Sequence, residues 1–177
     1  PAHNLTSARS PPITTPTTEL ASSHDKDRCS TRSRATAYVG KSGWMSVTWA
    51  ATSPESGLFH PVERRSEVKD LADHFNDLRS CGQGYVEVRS PNKEFPVLIL
   101  AFRGDHAVVH LMSDAERMSL LVGDGTVLSG AEVEVPIMDD LAAFTGDFVL
   151  NTDRAWDLVH DFTQTRAASS LGEWCEL

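Results

Sequence analysis

The chain has 177 residues and a formal net charge of -9, which is enough chain for one domain and an additional segment. Its hydrophobic content of 40% is typical of a globular core. No apolar run approaches the roughly 18 to 20 residues that a membrane-spanning helix needs, and the N-terminus has no hydrophobic segment of the signal-peptide kind. We therefore expect a globular protein without a membrane partner.

The charge is unevenly distributed along the chain. Residues 1–43 carry six Lys/Arg and three Asp/Glu, whereas residues 44–177 carry ten Lys/Arg and 22 Asp/Glu. An acidic body repels nucleic acid and membrane surfaces and attracts basic partners. The alternative is that the acidity serves solubility alone.

The three cysteines are isolated from one another, at Cys29, Cys81 and Cys175. Their spacing fits neither a metal knuckle nor a disulfide framework. A reduced, cytoplasmic compartment fits this pattern best, and we expect no cofactor and no metal.

The first 43 residues are rich in Ser, Thr, Pro and Ala and have few large apolar side chains. Such a segment cannot bury enough surface to offset its ordering entropy, which predicts disorder. We therefore divide the chain into a disordered tail, 1–43, and a domain, 44–177. Met45 has the appearance of a natural domain start, so the tail is either an upstream extension of the reading frame or a genuine flexible arm.

The first half of the domain predicts a strand and a helix. Residues 46–50 alternate and predict a strand, and a turn-rich stretch with Pro54, Gly57 and Pro61 follows. Ser66 is placed to cap a helix over EVKDLADHFNDLRS that ends at Gly82. Its apolar residues share one helical face: Val68, Leu71, Ala72, Phe75 and Leu78.

The middle of the domain predicts consecutive strands. YVEVR alternates with period two, as a half-buried strand does, and the continuously apolar run 95–102 predicts a central strand covered on both faces. Arg-Gly-Asp at 103–105 is interpreted as a hairpin turn. Further strands are predicted at 106–112, 118–122, 131–135 and 148–150.

A second helix follows, DRAWDLVHDFTQT, with Asn151 or Thr152 as its cap. Consecutive strands at hairpin spacing imply an antiparallel sheet. The fold class predicted for the domain is α+β, a mostly antiparallel sheet with two helices packed on it.

The candidates for catalysis and metal binding are weak. His106 and His110 share a strand face, but no cysteine or carboxylate completes a metal set beside them in the sequence. Asp139 and Asp140 are interpreted as a solvated loop pair, and GDG at 123–125 lacks the residues of a phosphate loop. We therefore do not expect an enzyme.

Trp174 lies near the C-terminus, between a glycine and glutamates. It is interpreted as locking the C-terminus onto the domain. The alternative is an interface anchor, because tryptophan is enriched at binding hot spots.

Residues from Trp49 to Leu177 resemble the Imm-one family of bacterial immunity proteins, which accompany polymorphic toxins. Three features carry the resemblance: an early strand with Trp49 followed by SEVKDLADHFNDL; the meander YVEVRSP, FPVLILAF, DHAVVHLM and MSLLVGDG; and the ending EVEVPIMDD, NTDRAWDLVHDFTQT and EWCEL. One departure is the link TRAASSLGEW, which has no proline before the terminal tryptophan.

The resemblance implies a protein that binds and inhibits a cognate toxin, a deaminase or nuclease that acts on nucleic acid, by occluding its active site. Charge and loop position, not the family, suggest the interface. The candidates are Asp114, Glu116, Asp124, Asp139, Asp140 and Trp174.

Two rival functions stay open. One is a small-ligand-binding or regulatory module that uses the open face of the sheet. The other is an enzyme that uses His106 or His110 together with a carboxylate.

Overall fold

The computed structural model describes residues 46–177. The predicted disordered segment 1–43 and the predicted domain boundary lie outside the described residues. The described chain forms α1 Val68–Cys81 and α2 Thr152–Thr165, with 3-10 turns at Gly146–Phe148 and Ala168–Ser170. Its strands are β1 Ser46–Thr52, β2 Phe59–Glu67, β3 Gln83–Arg89, β4 Val97–Arg103, β5 His106–Met112, β6 Met118–Leu121, β7 Glu132–Ile137, β8 Asp140–Thr145, β9 Leu150–Asn151 and β10 Trp174–Glu176.

The predicted α+β class is confirmed by the sheet. The main sheet has the order β10-β6-β5-β4-β3-β1-β2, β9 pairs with the beginning of β5, and every pairing is antiparallel. The central strand β4 is buried from Leu98 to Phe102, as its continuous apolar run predicts. Gly104 and Asp105 form the predicted turn between β4 and β5.

Both helices pack on one face of this sheet, which we call the helix face. The apolar stripe of α1 buries Leu71, Phe75 and Leu78, and Phe75 stacks on Trp156 of α2 with ring centroids 4.1 Å apart. Because the exposed side of each helix is polar, hydrophobic burial fixes the rotation of both helices. The predicted cap Asn151 is confirmed, since its side chain accepts a hydrogen bond from the Asp153 amide.

The opposite face, which we call the strand face, is partly covered by a hairpin of β7 and β8. Strand β7 packs against β3, β4 and β5. The contact buries a second apolar cluster, formed by Tyr85, Ile99, Ala101, Val108, Leu120, Val135 and Val149. The sheet is therefore covered on both faces at its centre, whereas most side chains of the edge strand β2 are exposed.

Strand β2 corrects the sequence interpretation, which placed only turns between the first strand and the first helix. Most of its side chains are exposed and it contains Pro61, so its sequence lacks the alternation that marks a strand. It forms because it pairs with the open edge of β1, with a register shift between Trp49 and Ala51. The cap of α1 also moves: Glu67 and Asp70 form a capping box, and Ser66 instead accepts a hydrogen bond from the Trp49 indole, 3.0 Å.

Two further expectations are wrong in detail. Asp140 is the first residue of β8, a strand that the sequence did not predict, so only Asp139 lies in a turn. Instead of a strand over 148–150, a 3-10 turn, Gly146–Phe148, precedes the two-residue strand β9. No helix within residues 46–177 is long and apolar enough to cross a membrane.

Candidate functional site

A pocket of about 300 Å³ opens on the strand face, between the sheet and the tip of the β7–β8 hairpin. Its charged lining comes from β2, β3 and the loop before β4, namely Glu63, Glu87, Arg89 and Glu94. Its apolar lining comes from Ala50, Phe95, Val97, Met112 and Met138. We call it the Glu87 pocket.

The arginine of this pocket is already engaged. Arg89 Nε donates to Glu63 Oε1 at 2.7 Å, and its Nη2 pairs with the other oxygen of the same carboxylate. The bidentate geometry is the one that best satisfies an arginine and a carboxylate. Glu63 and Arg89 therefore neutralise each other, and the charges of Glu87 and Glu94 remain.

Glu87 is half-buried and held by its neighbour on the same face of β3. The Tyr85 hydroxyl donates to Glu87 Oε1 at 2.8 Å. Burial of the phenol, together with the adjacent carboxylate, raises the pKa of Tyr85. Tyr85 therefore stays a hydrogen-bond donor and fixes one oxygen of Glu87.

The tip of the β7–β8 hairpin is connected to Tyr85 through Phe59. Asp139 Oδ1 accepts a hydrogen bond from the Phe59 amide at 2.7 Å, and the Phe59 ring meets the Tyr85 ring edge to face at 5.0 Å. These contacts connect Asp139 to Glu87 through Phe59 and Tyr85. The position of the Glu87 carboxylate in the pocket therefore depends on the position of the hairpin tip.

A second concave region of about 350 Å³, the Trp49 groove, lies where α1 meets the first two strands. The guanidinium of Arg64 lies 5.2 Å from the centre of the Trp49 ring, and the His74 ring contacts Trp49 at 4.8 Å. Three exposed carboxylates of α1 line it: Asp70, Asp73 and Asp77. Like the Glu87 pocket, its lining has three carboxylates and one arginine, and one of these carboxylates, Asp73, is paired with Lys69 at 2.6 Å.

The acidic residues singled out in the sequence do not form one patch. Asp114 and Glu116 lie in the turn after β5, and Asp124 accepts a hydrogen bond from the amide of Asn151, which pairs with His106 at the start of β5. The two groups are thus at opposite ends of a seven-residue strand, about 20 Å apart.

Two of these carboxylates have local partners. The Arg117 side chain and the Glu116 amide donate to Asp114 and lower its pKa. At Asp124, desolvation opposes ionisation, but hydrogen bonds from Thr126 and Asn151 outweigh it, so the pKa of this carboxyl is also lowered. Both carboxylates therefore organise turns, whatever else they bind.

Trp174 is half-buried in β10, which pairs with β6. Its indole nitrogen donates to the Ala168 carbonyl at 3.0 Å, and its ring packs against the helix-face core. These contacts attach the C-terminal strand to the domain, which is the interpretation favoured by the sequence. A role for Trp174 in an interface stays a prediction.

The two histidines of β5 differ in environment. His106 is half-buried at the start of the strand, whereas His110 is buried at 6% exposure beneath Phe144 of the hairpin, 5.4 Å between ring centres. Burial lowers the pKa of His110 to about 4, and its Nδ1 has no hydrogen-bond partner among the described residues. Within residues 46–177, no three His, Cys, Asp or Glu side chains are grouped to hold a metal ion.

Sequence reasoning missed the Glu87 pocket because it searched the loops for acidic residues. The signal was nevertheless present in YVEVR, whose period of two places Tyr85, Glu87 and Arg89 on one face and Val86 and Val88 on the other.

Compared with known proteins, the chain matched no family model, and no curated protein matched it either.

Proposed function

We propose that this protein is an inhibitor of the immunity-protein kind, which binds a basic protein and occludes its active site. The observation that carries the proposal is the charge of its concave surface. The Glu87 pocket and the Trp49 groove each present three carboxylates and one arginine. Concave surfaces of one sign concentrate the field and attract partners of the other sign.

The partner class follows from the same charge. Proteins that act on nucleic acid neutralise phosphates with lysine and arginine, so their active-site clefts are basic. An acidic domain can occupy such a cleft in place of the polyanion, and charge complementarity then speeds their encounter. The resemblance of Trp49–Leu177 to the Imm-one family supports the same partner, a cognate toxin that is a deaminase or nuclease. We place the complex in the cytoplasm, where such a toxin would meet its target.

The test is inhibition at stoichiometric concentration. The full chain is titrated into the toxin domain encoded beside it, and toxin activity is measured at 50 and 300 mM salt. We expect activity to fall to the background at a 1:1 ratio, with association slower at the higher salt. Undiminished toxin activity in the presence of excess protein would refute the proposal.

A small-ligand-binding module is the second candidate, and one observation favours it. The Glu87 pocket has the volume of the smallest ligand sites and a mixed apolar and charged lining, as ligand pockets have. Melting temperatures measured with a panel of small cationic metabolites test it. A ligand that raises the melting temperature of the isolated protein, together with failure to inhibit the toxin, would favour this function.

A further inference from the structure

The Glu87 pocket contains a charge that the described protein does not neutralise. Five ion pairs occur among residues 46–177, and none of them includes Glu87 or Glu94. The only arginine in the pocket lining is committed to Glu63 through two hydrogen bonds. Glu87 is half-buried, so a bound cation would supply the opposite charge in a partly desolvated site.

The geometry of Glu87 suits a donor that arrives from outside. Tyr85 holds Oε1 at 2.8 Å, so the carboxylate has a fixed orientation, and no donor among the described residues engages Oε2. Tyr85 is itself buried at 2% exposure and braced by Phe59. A carboxylate fixed in this way loses little conformational entropy when it accepts a hydrogen bond.

The rest of the lining suits the stem of a long side chain. Phe95, Met112 and Met138 provide apolar surface beside the carboxylates. Arginine and lysine bury an aliphatic stem while their charged ends make polar contacts. A guanidinium can also stack its planar face on an aromatic ring and has five donors to share between two carboxylates, whereas an ammonium has three donors and no planar face.

We propose that the Glu87 pocket receives an arginine side chain of the partner protein, with the guanidinium on Glu87 and Glu94 and the stem against Phe95, Met112 and Met138. The inference rests on the proposed function, because an arginine carried by a protein presupposes a protein partner. It deepens that function by naming the pocket as the anchor of the interface.

The first experiment uses a probe rather than the toxin. N-acetyl-arginine methylamide is titrated into the full chain, and amide shifts are followed by NMR. We expect saturable shifts around Glu87, Val97 and Met112, and weaker shifts with the lysine analogue. Glu87→Gln should weaken binding by about 30-fold or more, while Glu132→Gln, an equal charge change at an exposed residue outside the pocket, should leave it unchanged.

Glu87→Gln retains a carbonyl oxygen that can accept the Tyr85 hydrogen bond, and a melting curve checks that the variant is folded. If the probe gives no shifts at Glu87, or if both variants weaken it equally, the pocket is not an arginine site. If free arginine or agmatine binds more tightly than the blocked probe, the ligand is a small molecule, and the protein-borne arginine is ruled out.

The second experiment separates this inference from the proposed function. Dissociation of the toxin complex is measured for the wild type, Glu87→Gln and Glu132→Gln. If Glu87→Gln still inhibits the toxin and its complex dissociates at an unchanged rate, the pocket is not the arginine site, but the proposed function is unaffected. Probe binding without toxin inhibition would support the pocket as an arginine site and overturn the function. We expect the toxin complex of Glu87→Gln to dissociate about 30-fold faster than that of the wild type, and the complex of Glu132→Gln to dissociate at the wild-type rate.

Discussion

The Tyr85 hydroxyl donates a 2.8 Å hydrogen bond to the Glu87 carboxylate, two residues further along the same face of β3. The donor is buried and the acceptor half-buried, so the bond forms where water competes poorly. It gives this strand carboxylate a fixed orientation in the lining of a pocket. The proposed interface depends on this pair.

Removal of the hydroxyl tests the pair. We expect Tyr85→Phe to lower the free energy of unfolding by about 1 kcal/mol, the net value of a typical hydrogen bond, and to weaken the arginine probe. Urea unfolding of Tyr85→Phe, Glu87→Ala and the double variant forms a thermodynamic cycle, because each single change removes the hydrogen bond. The two changes should be non-additive, and strict additivity would show that the hydrogen bond does not couple them.

His110 predicts a dependence of stability on pH. Its pKa in the folded protein is about 4, below the ordinary value of 6.5, because burial disfavours the charged ring. The unfolded chain therefore binds the proton more readily, so the contribution of His110 is complete above pH 6.5 and is lost as the pH falls towards 4. The loss is about 3 kcal/mol in total.

The measurement is urea unfolding between pH 4 and pH 7 for the wild type, His110→Leu and His160→Gln. His110→Leu should flatten the decline over this window, and His160→Gln, at an exposed residue of α2, should retain it. An equal decline in all three proteins would assign the pH dependence to other titratable groups instead.

A close approach of two backbone segments predicts a sensitive glycine. A Cβ at Gly146 would lie 2.1 Å from the Leu128 carbonyl oxygen, whereas a Cβ at Gly130 would meet nothing within 4 Å. Gly146→Ala should destabilise the fold by about 1–3 kcal/mol, the cost of overpacking. Gly130→Ala is the matched control and should change the melting temperature little; equal effects would mean that the segment shifts to accept the methyl group.

At the hairpin tip, we expect Asp139 to contribute to stability and Asp140 to contribute only its charge. Asp139 accepts the hydrogen bond of the Phe59 amide, 2.7 Å, whereas Asp140 begins β8 with an exposed side chain. Asp139→Ala should cost about 1 kcal/mol of stability and loosen the Glu87 pocket. Asp140→Lys should leave stability nearly unchanged, slow association with a basic partner and flatten its salt dependence. Stopped-flow association and thermal unfolding of both variants check this division, and unchanged association of Asp140→Lys at low salt would remove this site from the interface.

The helices could be predicted from the sequence because local signals determine them. The apolar period of 3.6 gave the buried face of α1, Gly82 adopts the left-handed conformation that ends it, and Asn151 caps α2. Strand β2 could not be predicted, since its residues become a strand only by pairing with β1, a contact absent from the local sequence. Strand β8 was missed for the same reason, because it is defined by its pairing with β7.

The candidate site could be predicted only in part. A net acidic body was visible from composition, and Asp139 does lie at the hairpin tip beside the pocket. The proximity of Glu63, Glu87 and Glu94 in one pocket could not be predicted from the sequence, because these residues come from three segments that only the fold brings together. The neutralisation of Glu63 by Arg89 across 26 positions is likewise a property of the register of the sheet, which loop position and charge do not reveal.

The measurement that tests the central claim most directly uses the proposed partner, a toxin domain encoded next to this protein: its activity is followed at rising concentrations of the full chain, and the mixture is examined by gel filtration. The proposal predicts a stable 1:1 complex and loss of activity at equimolar protein. A toxin that stays fully active, and elutes separately at every ratio tested, would contradict it.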